Sequence, residues 1–297
     1  MDKKTQLKAL LAAIACHAAW GFSFLASRKG LDGAPVFVLL SHRFGLSFLV
    51  MNLLVLLGAG KLSLKGKALW KPLLLGLMEP VIYFCTEQYG ILHSNTVFSG
   101  VMIAMIPIVA TLAAAPILKE KPSLGQLFFS LLSVCGVVGI GLMSRSSGAL
   151  DWIGAVALSV AVLSAGAYTL IGRGISKDYA PFERTYIMMG VGTIAFTPLA
   201  LFQTGGDLLA YCRPLAQPTY LVAILFLSLV CSVACFFFSS YTITYMTVAR
   251  ETVFSNLTTA VSVFAGVLFL HEPFTWFGAL CCLVIFIGIY GVQKTAP

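Results

Sequence analysis

The sequence predicts an all-α membrane protein with ten transmembrane helices, arranged as two inverted five-helix repeats with both termini cytoplasmic. Three observations support this fold class: an apolar composition, ten segments of membrane-spanning length and an internal repeat. Of the 297 residues, 59% are hydrophobic and only 10% are charged, whereas a soluble protein carries about 25% charged residues. We therefore expect the lipid bilayer to surround much of the chain.

The apolar segments each contain about 20–25 residues and are separated by short polar stretches. A segment of this length crosses a hydrocarbon core of ~30 Å at a rise of ~1.5 Å per residue. Three segments begin at Trp70, Trp152 and Trp276, and tryptophan is favoured at the membrane–water interface. The predicted segments are roughly 7–27, 34–58, 70–92, 96–118, 123–143, 150–172, 182–203, 218–243, 248–270 and 275–293.

The distribution of basic residues predicts the orientation of the chain. Of the 19 lysines and arginines, 14 fall on the side of the N-terminus, 4 on the other side, and Arg43 lies within a segment. Because basic residues concentrate in cytoplasmic loops, we place the N-terminus inside, and an even number of spans returns the C-terminus there. We therefore attribute the net charge of +8 to the basic residues of the loops. The sequence contains no basic run with interleaved aromatic residues of the kind that binds nucleic acid.

The chain also matches itself at an offset of 152 residues. Two domains follow, residues 1–146 and 147–297, each with five predicted helices. Because five is odd, the second half enters the membrane from the opposite side, and inverted repeats of this kind are associated with alternating access. The matched pairs are Tyr89 with Tyr241, Glu120 with Glu272, Gly136 with Gly288, and Gly139 with Gly291.

Several stretches resemble the EamA family of the drug/metabolite transporter superfamily. AAWGFSF is similar to the Trp-Gly of the family's first helix, and Arg43 in LLSHRFGLSFLV resembles an arginine of the second helix. The stretch 89–123 resembles helices 3 and 4, and FLHEPFTWFGALCCLVIFIGIYG resembles the second unit, although Thr259 stands where the first copy has Pro107. The resemblance implies ten helices, an inverted repeat and movement of small molecules, often export of amino acids and other metabolites.

The third predicted helix carries polar residues on a single face. Glu79, Tyr83 and Glu87 are spaced by four residues, and such residues share one side of a helix. Glu79 lies ~14 Å from the inner end of the helix, near the bilayer midplane. A charge there costs roughly 2.5–3.5 kcal/mol, so Glu79 either lines a cavity, where it recognises a cation or carries a proton, or pairs with Arg43. Pro80 removes an amide donor and predicts a kink.

The ninth predicted helix shows a comparable polar face, with Glu251, Asn256 and Thr259 as candidate site residues. Glu251 lies only ~5 Å from the inner end, so it is either a cavity residue or a solvated carboxylate that the helix dipole favours. Asn256 and Thr259 lie deeper, and they either bind substrate or form hydrogen bonds between helices.

Aromatic residues on the first and sixth helices complete the predicted site. Trp20 lies roughly 20 Å into the first helix, and a looser second match of the repeat places Tyr168 opposite it. These rings either form an aromatic wall for stacking or cation–π contact, or pack in the interior. His17, three residues before Trp20, is a further candidate for substrate binding.

The sequence therefore predicts a secondary transporter that moves amino acids or related metabolites by alternating access, with export as the expected direction and the cell membrane as its location. Uptake of an organic cation or amine is the alternative. A membrane-embedded enzyme is disfavoured, since HExxH and GxSxG motifs are absent. A scaffold is disfavoured because it would not need a symmetric polar interior. We expect no cofactor or metal, because no CxxC or zinc-ligand spacing occurs. The expected partners are a small-molecule substrate, protons and lipid, and a homodimer stays open.

Overall fold

The computed structural model describes residues 3–93, 102–143, 152–270 and 276–295. These residues form helices and their connections, and no strand occurs among them. Glu272, which anchors the predicted repeat, lies outside the described residues. The α-helices are α1 Lys3–Leu31, α2 Val36–Leu56, α3 Trp70–Gly76, α4 Tyr83–Leu92, α5 Ile106–Leu118, α6 Leu124–Met143, α7 Trp152–Gly174, α8 Pro181–Gln203, α9 Leu208–Cys212, α10 Pro218–Leu225, α11 Cys235–Tyr245, α12 Val248–Thr252, α13 Ser255–Leu270 and α14 Trp276–Lys294.

Seven helical stretches among the described residues are long and apolar enough to cross a membrane. Two shorter apolar helices, Met102–Leu118 and Leu124–Ile140, coincide with the fourth and fifth predicted segments. The third segment is divided between α3 and α4. The predicted all-helical, multi-span membrane protein is confirmed, while the count of ten spans and the position of the termini stay predictions.

Two helical stretches depart from α-helical geometry in their middle, and we call them the widened stretches. The chain between α3 and α4 departs from helical geometry at Glu79, with φ −140° and ψ 119°, because a residue before proline is pushed out of the helical region. The predicted kink therefore lies at Glu79 and Pro80. A π-helical stretch also spans Phe226–Ala234 between α10 and α11, at the positions that the 152-residue offset makes equivalent.

Side chains from neighbouring helices satisfy backbone carbonyl groups in these widened stretches. Trp20 Nε1 of α1 donates to the carbonyl oxygen of Cys231 at 2.9 Å. Ser164 Oγ of α7 donates to the carbonyl oxygen of Met78 at 2.7 Å. Since irregular backbone at membrane depth is tolerated where the protein supplies partners, these bonds help to stabilise both breaks.

The helices of the two halves pack in matching pairs. Helix α2 packs on α8, and α6 packs on α14. Helix α1 contacts α11 and α13 of the second half. Helix α7 contacts α4 and α5 of the first half, which correspond to α11 and α13 in the repeat. Close approach of α6 and α14 needs small residues: a Cβ on Gly136 would lie 2.7 Å from the Cys281 carbonyl oxygen, and one on Gly288 would lie 2.6 Å from Ser133 Cβ.

Several loops and helix ends meet at one end of the bundle, which we call the basic face and define by Lys67, Lys71, Lys119, Lys121 and Arg173. Lys67 Nζ forms an ion pair of 2.7 Å with Glu183 Oε2 at the start of α8. Ser123 Oγ, just before α6, donates a hydrogen bond of 2.8 Å to the carbonyl oxygen of Thr295, just after α14. These contacts bring together the ends that the basic residues predict to be cytoplasmic.

Candidate substrate cavity

A cavity of about 210 Å³ lies inside the bundle, and both halves of the chain contribute to its wall. The lining side chains come from α1, α2, the Glu79 break, α4, α7, and α11 to α13, with Ile103 and Ile106 near the start of α5. Nine of the ten predicted site residues line it: His17, Trp20, Arg43, Glu79, Tyr83, Glu87, Tyr168, Glu251 and Thr259. That these residues bind substrate stays a prediction.

The residues that line the cavity come from both ends of the surrounding helices. Ser27 and Gln88, near the ends of α1 and α4, line it at the end away from the basic face. Glu251 and Thr252, in the short helix α12, line it at the end nearest the basic face. The chain turns at 253–254 before α13 begins, so Glu251 stands on a separate helical turn from Thr259.

Three carboxylates line this cavity, and they differ in their hydrogen bonding. Glu87 is buried, and its Oε1 accepts a hydrogen bond of 2.8 Å from Tyr83 Oη. The carboxylates of Glu79 and Glu251 have no hydrogen bond or ion pair with any residue in the described parts of the chain. Glu251 is only 5% exposed, which does not fit the solvated first-turn carboxylate considered from the sequence.

Arg43 lines the same cavity, but its contacts differ from the pairing considered from the sequence. Among the described residues, no nitrogen of its guanidinium lies within ion-pair distance of Glu79. Its Nε donates instead to Ser232 Oγ at 2.7 Å, because α2 packs against the π-helical stretch that carries Ser232. The guanidinium lies over the rings of Phe44 and Phe84, at 5.4 and 5.1 Å from their centroids.

Aromatic rings form another part of the cavity wall. Trp20 and Phe236 meet edge to face with centroids 5.5 Å apart, and Tyr168 meets Phe236 in the same manner at 6.4 Å. The Tyr168 hydroxyl shares a hydrogen bond of 3.0 Å with Ser239 Oγ. Trp20 thus both lines the cavity and is held in place by its indole N–H. Edge-to-face contacts of this kind fix the orientation of the rings.

His17 and Asn256 are held mainly by other helices. His17 Nδ1 lies 3.1 Å from Thr258 Oγ1 of α13, and its ring also touches Trp20 edge to face. Asn256 does not line the cavity: it is 1% exposed, and its Nδ2 donates to Ser133 Oγ of α6 at 3.1 Å. The structure therefore favours the interhelical hydrogen bond for Asn256 over substrate contact.

Sequence reasoning missed several lining residues. Phe84 and Phe236 both line the cavity, and they are related by the same offset of 152 residues. Applying that offset to Glu87 would have identified Ser239, which also lines the cavity. Ser23 and Ser27 follow Trp20 by three and seven residues, which places them on the same side of a helix.

A polar cluster, which we call the Glu120–Arg173 cluster, lies near the end of the cavity nearest the basic face. Arg173 Nε donates to Glu120 Oε1 at 2.7 Å, and Glu120 Oε2 accepts from the Val248 amide at 2.9 Å. Arg173 Nη1 also donates to the carbonyl oxygens of Ile243 and Thr244, at 3.2 and 2.5 Å. The cluster ties α5, α7, α11 and α12 together, and Glu120 does not line the cavity.

Comparisons with known proteins agree with this architecture. Residues 7–142 and 152–293 each match the EamA-like transporter family. An uncharacterized transporter of Bacillus subtilis (strain 168), YcxC, is 31% identical over 296 residues, covering 98% of this chain and 94% of that protein. An uncharacterized transporter of Archaeoglobus fulgidus is 24% identical, covering 93% and 95%.

The fold has also been seen in a solved structure. The crystal structure of a protein with no further description superposes on this chain with a TM-score of 0.79 and a sequence identity of 16%. The superposition covers 97% of this chain and 98% of the other. At this identity the likeness concerns the fold alone. The family match extends over most of the chain in two stretches, and seven helices of the described residues are long and apolar enough to cross a membrane. The chain is therefore a multi-pass membrane protein that belongs to the EamA-like transporter family.

Proposed function

We propose that this protein is a secondary active transporter that moves a small metabolite through the central cavity by alternating access. The observation that carries the proposal is one cavity whose wall combines carboxylates, a guanidinium and aromatic rings from both halves. Polar residues at membrane depth are costly and mark substrate or ion pathways. The solute is moved without chemical conversion.

The proposal includes ten spans, halves bounded at 1–146 and 147–297, and a basic face in the cytoplasm. Three observations support the inverted repeat: the exchanged packing partners of α1 and α7, the two widened stretches at equivalent positions, and the two separate family matches. The concentration of lysines and arginines at the basic face supports the orientation.

We propose amino acids or related metabolites as the solutes, export as the direction and the cell (inner) membrane as the location. Substrate class and direction rest on analogy with the family. Uptake of an organic cation or amine is the alternative, and the carboxylates of the cavity favour its substrate class.

We propose that the structure represents a state that is closed toward the basic face. The Glu120–Arg173 cluster lies there, beneath an apolar layer that includes Ala110, Leu170 and Val248. Alternating access requires that these contacts separate while others form at the opposite end. Glu79, beside the helix break, is our candidate for a proton carrier, and the ionisable groups that act on it are Glu87, Glu251 and Arg43.

Purified protein in liposomes tests the proposal. Vesicles loaded with an unlabelled solute should accumulate the same solute in radiolabelled form by exchange, which an equilibrative leak cannot sustain. The panel contains neutral, acidic and basic amino acids, amines and nucleosides, with protein-free vesicles as the control. If no compound of this panel is exchanged, transport by this cavity is contradicted.

A further inference from the structure

The carboxylates of Glu79 and Glu251 are the least compensated groups of the cavity. Both line it, and neither has a hydrogen bond or ion pair with another described residue. A carboxylate that is removed from water and has no partner is costly in free energy. A positively charged group bound in the cavity would therefore stabilise both carboxylates.

The charge balance of the cavity points in the same direction. Among the described residues, three carboxylates line it, from Glu79, Glu87 and Glu251, together with one guanidinium, from Arg43. Arg43 already donates to Ser232 and lies over two phenylalanine rings. When all these groups are ionised, the wall carries two more negative than positive charges, which repels anions and attracts cations.

The remaining wall suits a cation with a small organic body. Trp20, Tyr168 and Phe236 line the same cavity, and aromatic rings attract ammonium and guanidinium groups through the ring quadrupole. The volume of about 210 Å³ is below the roughly 300–1,000 Å³ of sites for drug-sized ligands. The cavity therefore fits a compact amine better than a large hydrophobic drug.

We propose that the cavity binds a small organic cation that carries more positive than negative groups, with ammonium or guanidinium groups held by Glu79 and Glu251. This inference rests on the proposed function, since the cavity is taken as the substrate site. Glu87 has a smaller role because Tyr83 already donates to it. A diamine and a basic amino acid share the required chemistry, and Arg43 would additionally accommodate the carboxylate of the amino acid.

The experiment measures binding and exchange separately, with the full-length protein. Binding is measured as ligand-induced thermal stabilisation in detergent, and exchange is measured in liposomes. The probes are 1,4-diaminobutane, arginine, leucine, glutamate and uridine. We expect stabilisation and exchange with one or both cations, and none with glutamate. If only the diamine or only arginine is exchanged, that result identifies which of the two cations the site accepts.

Variants connect the binding to the two carboxylates. Glu79→Gln and Glu251→Gln should each weaken cation binding about tenfold or more, because a charge-assisted hydrogen bond is replaced by a neutral one. Glu87→Gln should weaken it less. Asp178→Asn is the matched control, since Asp178 is exposed and lies 3.9 Å from Lys71 at the basic face. Its cation affinity should equal that of the wild type.

The outcomes separate the two proposals. Exchange of leucine, glutamate or uridine with no response to either cation would overturn the cation inference and leave the transporter proposal in place. Binding of a cation without exchange of any probe would support the inference and contradict transport. No stabilisation and no exchange by either cation, in a protein that unfolds cooperatively, also overturns the inference. If Glu79→Gln fails to fold, Glu251→Gln carries the test.

Discussion

Removing the charge of Glu120 should open the end of the cavity nearest the basic face. In Glu120→Gln the amide oxygen can still accept the Val248 amide proton, whereas the ion pair with Arg173 is lost. The two side chains are 19% and 26% exposed, so water screens the pair, and exposed pairs contribute about 0.2–1 kcal/mol. The weaker hydrogen bond to Val248 adds a similar amount. The closed end should lose about 0.4–2 kcal/mol, which raises the open population about 2- to 30-fold.

A cysteine in the cavity reports this change. Ser255 lines the cavity next to the turn that follows α12, and its Oγ has no hydrogen-bond partner among the described residues. Ser255→Cys is introduced into a background that lacks the eight native cysteines. The measurement is the rate of its modification by a membrane-impermeant thiol reagent, added from the side of the basic face.

In Glu120→Gln this rate should rise by the factor derived above, while Asp178→Asn, which removes an exposed carboxylate on the same face, should leave the rate unchanged. Equal rates in the wild type and in Glu120→Gln would refute the reasoning that the Glu120–Arg173 cluster closes the cavity. A rise of similar size in Asp178→Asn would indicate a general effect of surface charge instead.

Three further predictions concern coupling, packing and the edge of the site. Glu79→Gln should remove the pH dependence of transport, measured as exchange rates across a pH series, because an amide cannot carry the proton; an unchanged profile would exclude Glu79 from that role. Gly288→Ala should lower the free energy of unfolding by about 1–3 kcal/mol, because the new Cβ would lie 2.6 Å from Ser133 Cβ. Gly45→Ala is the control: a Cβ there would have nothing within 4 Å, so the free energy of unfolding should rise by up to about 1 kcal/mol. Thermal unfolding measures both, and equal shifts would contradict the packing argument. Asn256→Ala should lower stability by about 1 kcal/mol and leave ligand affinity unchanged in a binding titration, whereas weaker binding would return Asn256 to the substrate site.

Much of the fold could be predicted because the membrane restricts the choices. Apolar length predicts helices, and α3 begins at Trp70, as the interfacial preference of tryptophan indicates. The close packing of α6 and α14 could be anticipated from the matched glycines. Periodicity along each helix is a local property, so the sequence contains it directly.

The partners of charged residues were harder to predict. Depth in the bilayer indicated that Arg43 and Glu79 could meet, yet Arg43 donates to Ser232. Which helix packs beside α2 depends on the whole arrangement, and no pattern within one segment contains that information. The shared face of Glu79 and Tyr83 was derived for a regular helix, whereas the backbone at Glu79 is non-helical. Both residues nevertheless line the cavity, because the break occurs at the wall itself.

The most direct test of the central claim, that the cavity is an alternating-access pathway, is labelling of Ser255→Cys from each side of the membrane while a solute is exchanged. We expect modification from both sides, and we expect a transported solute to slow both reactions because it occupies the same cavity. Modification from one side only, unchanged by any solute that the protein exchanges, would contradict the account.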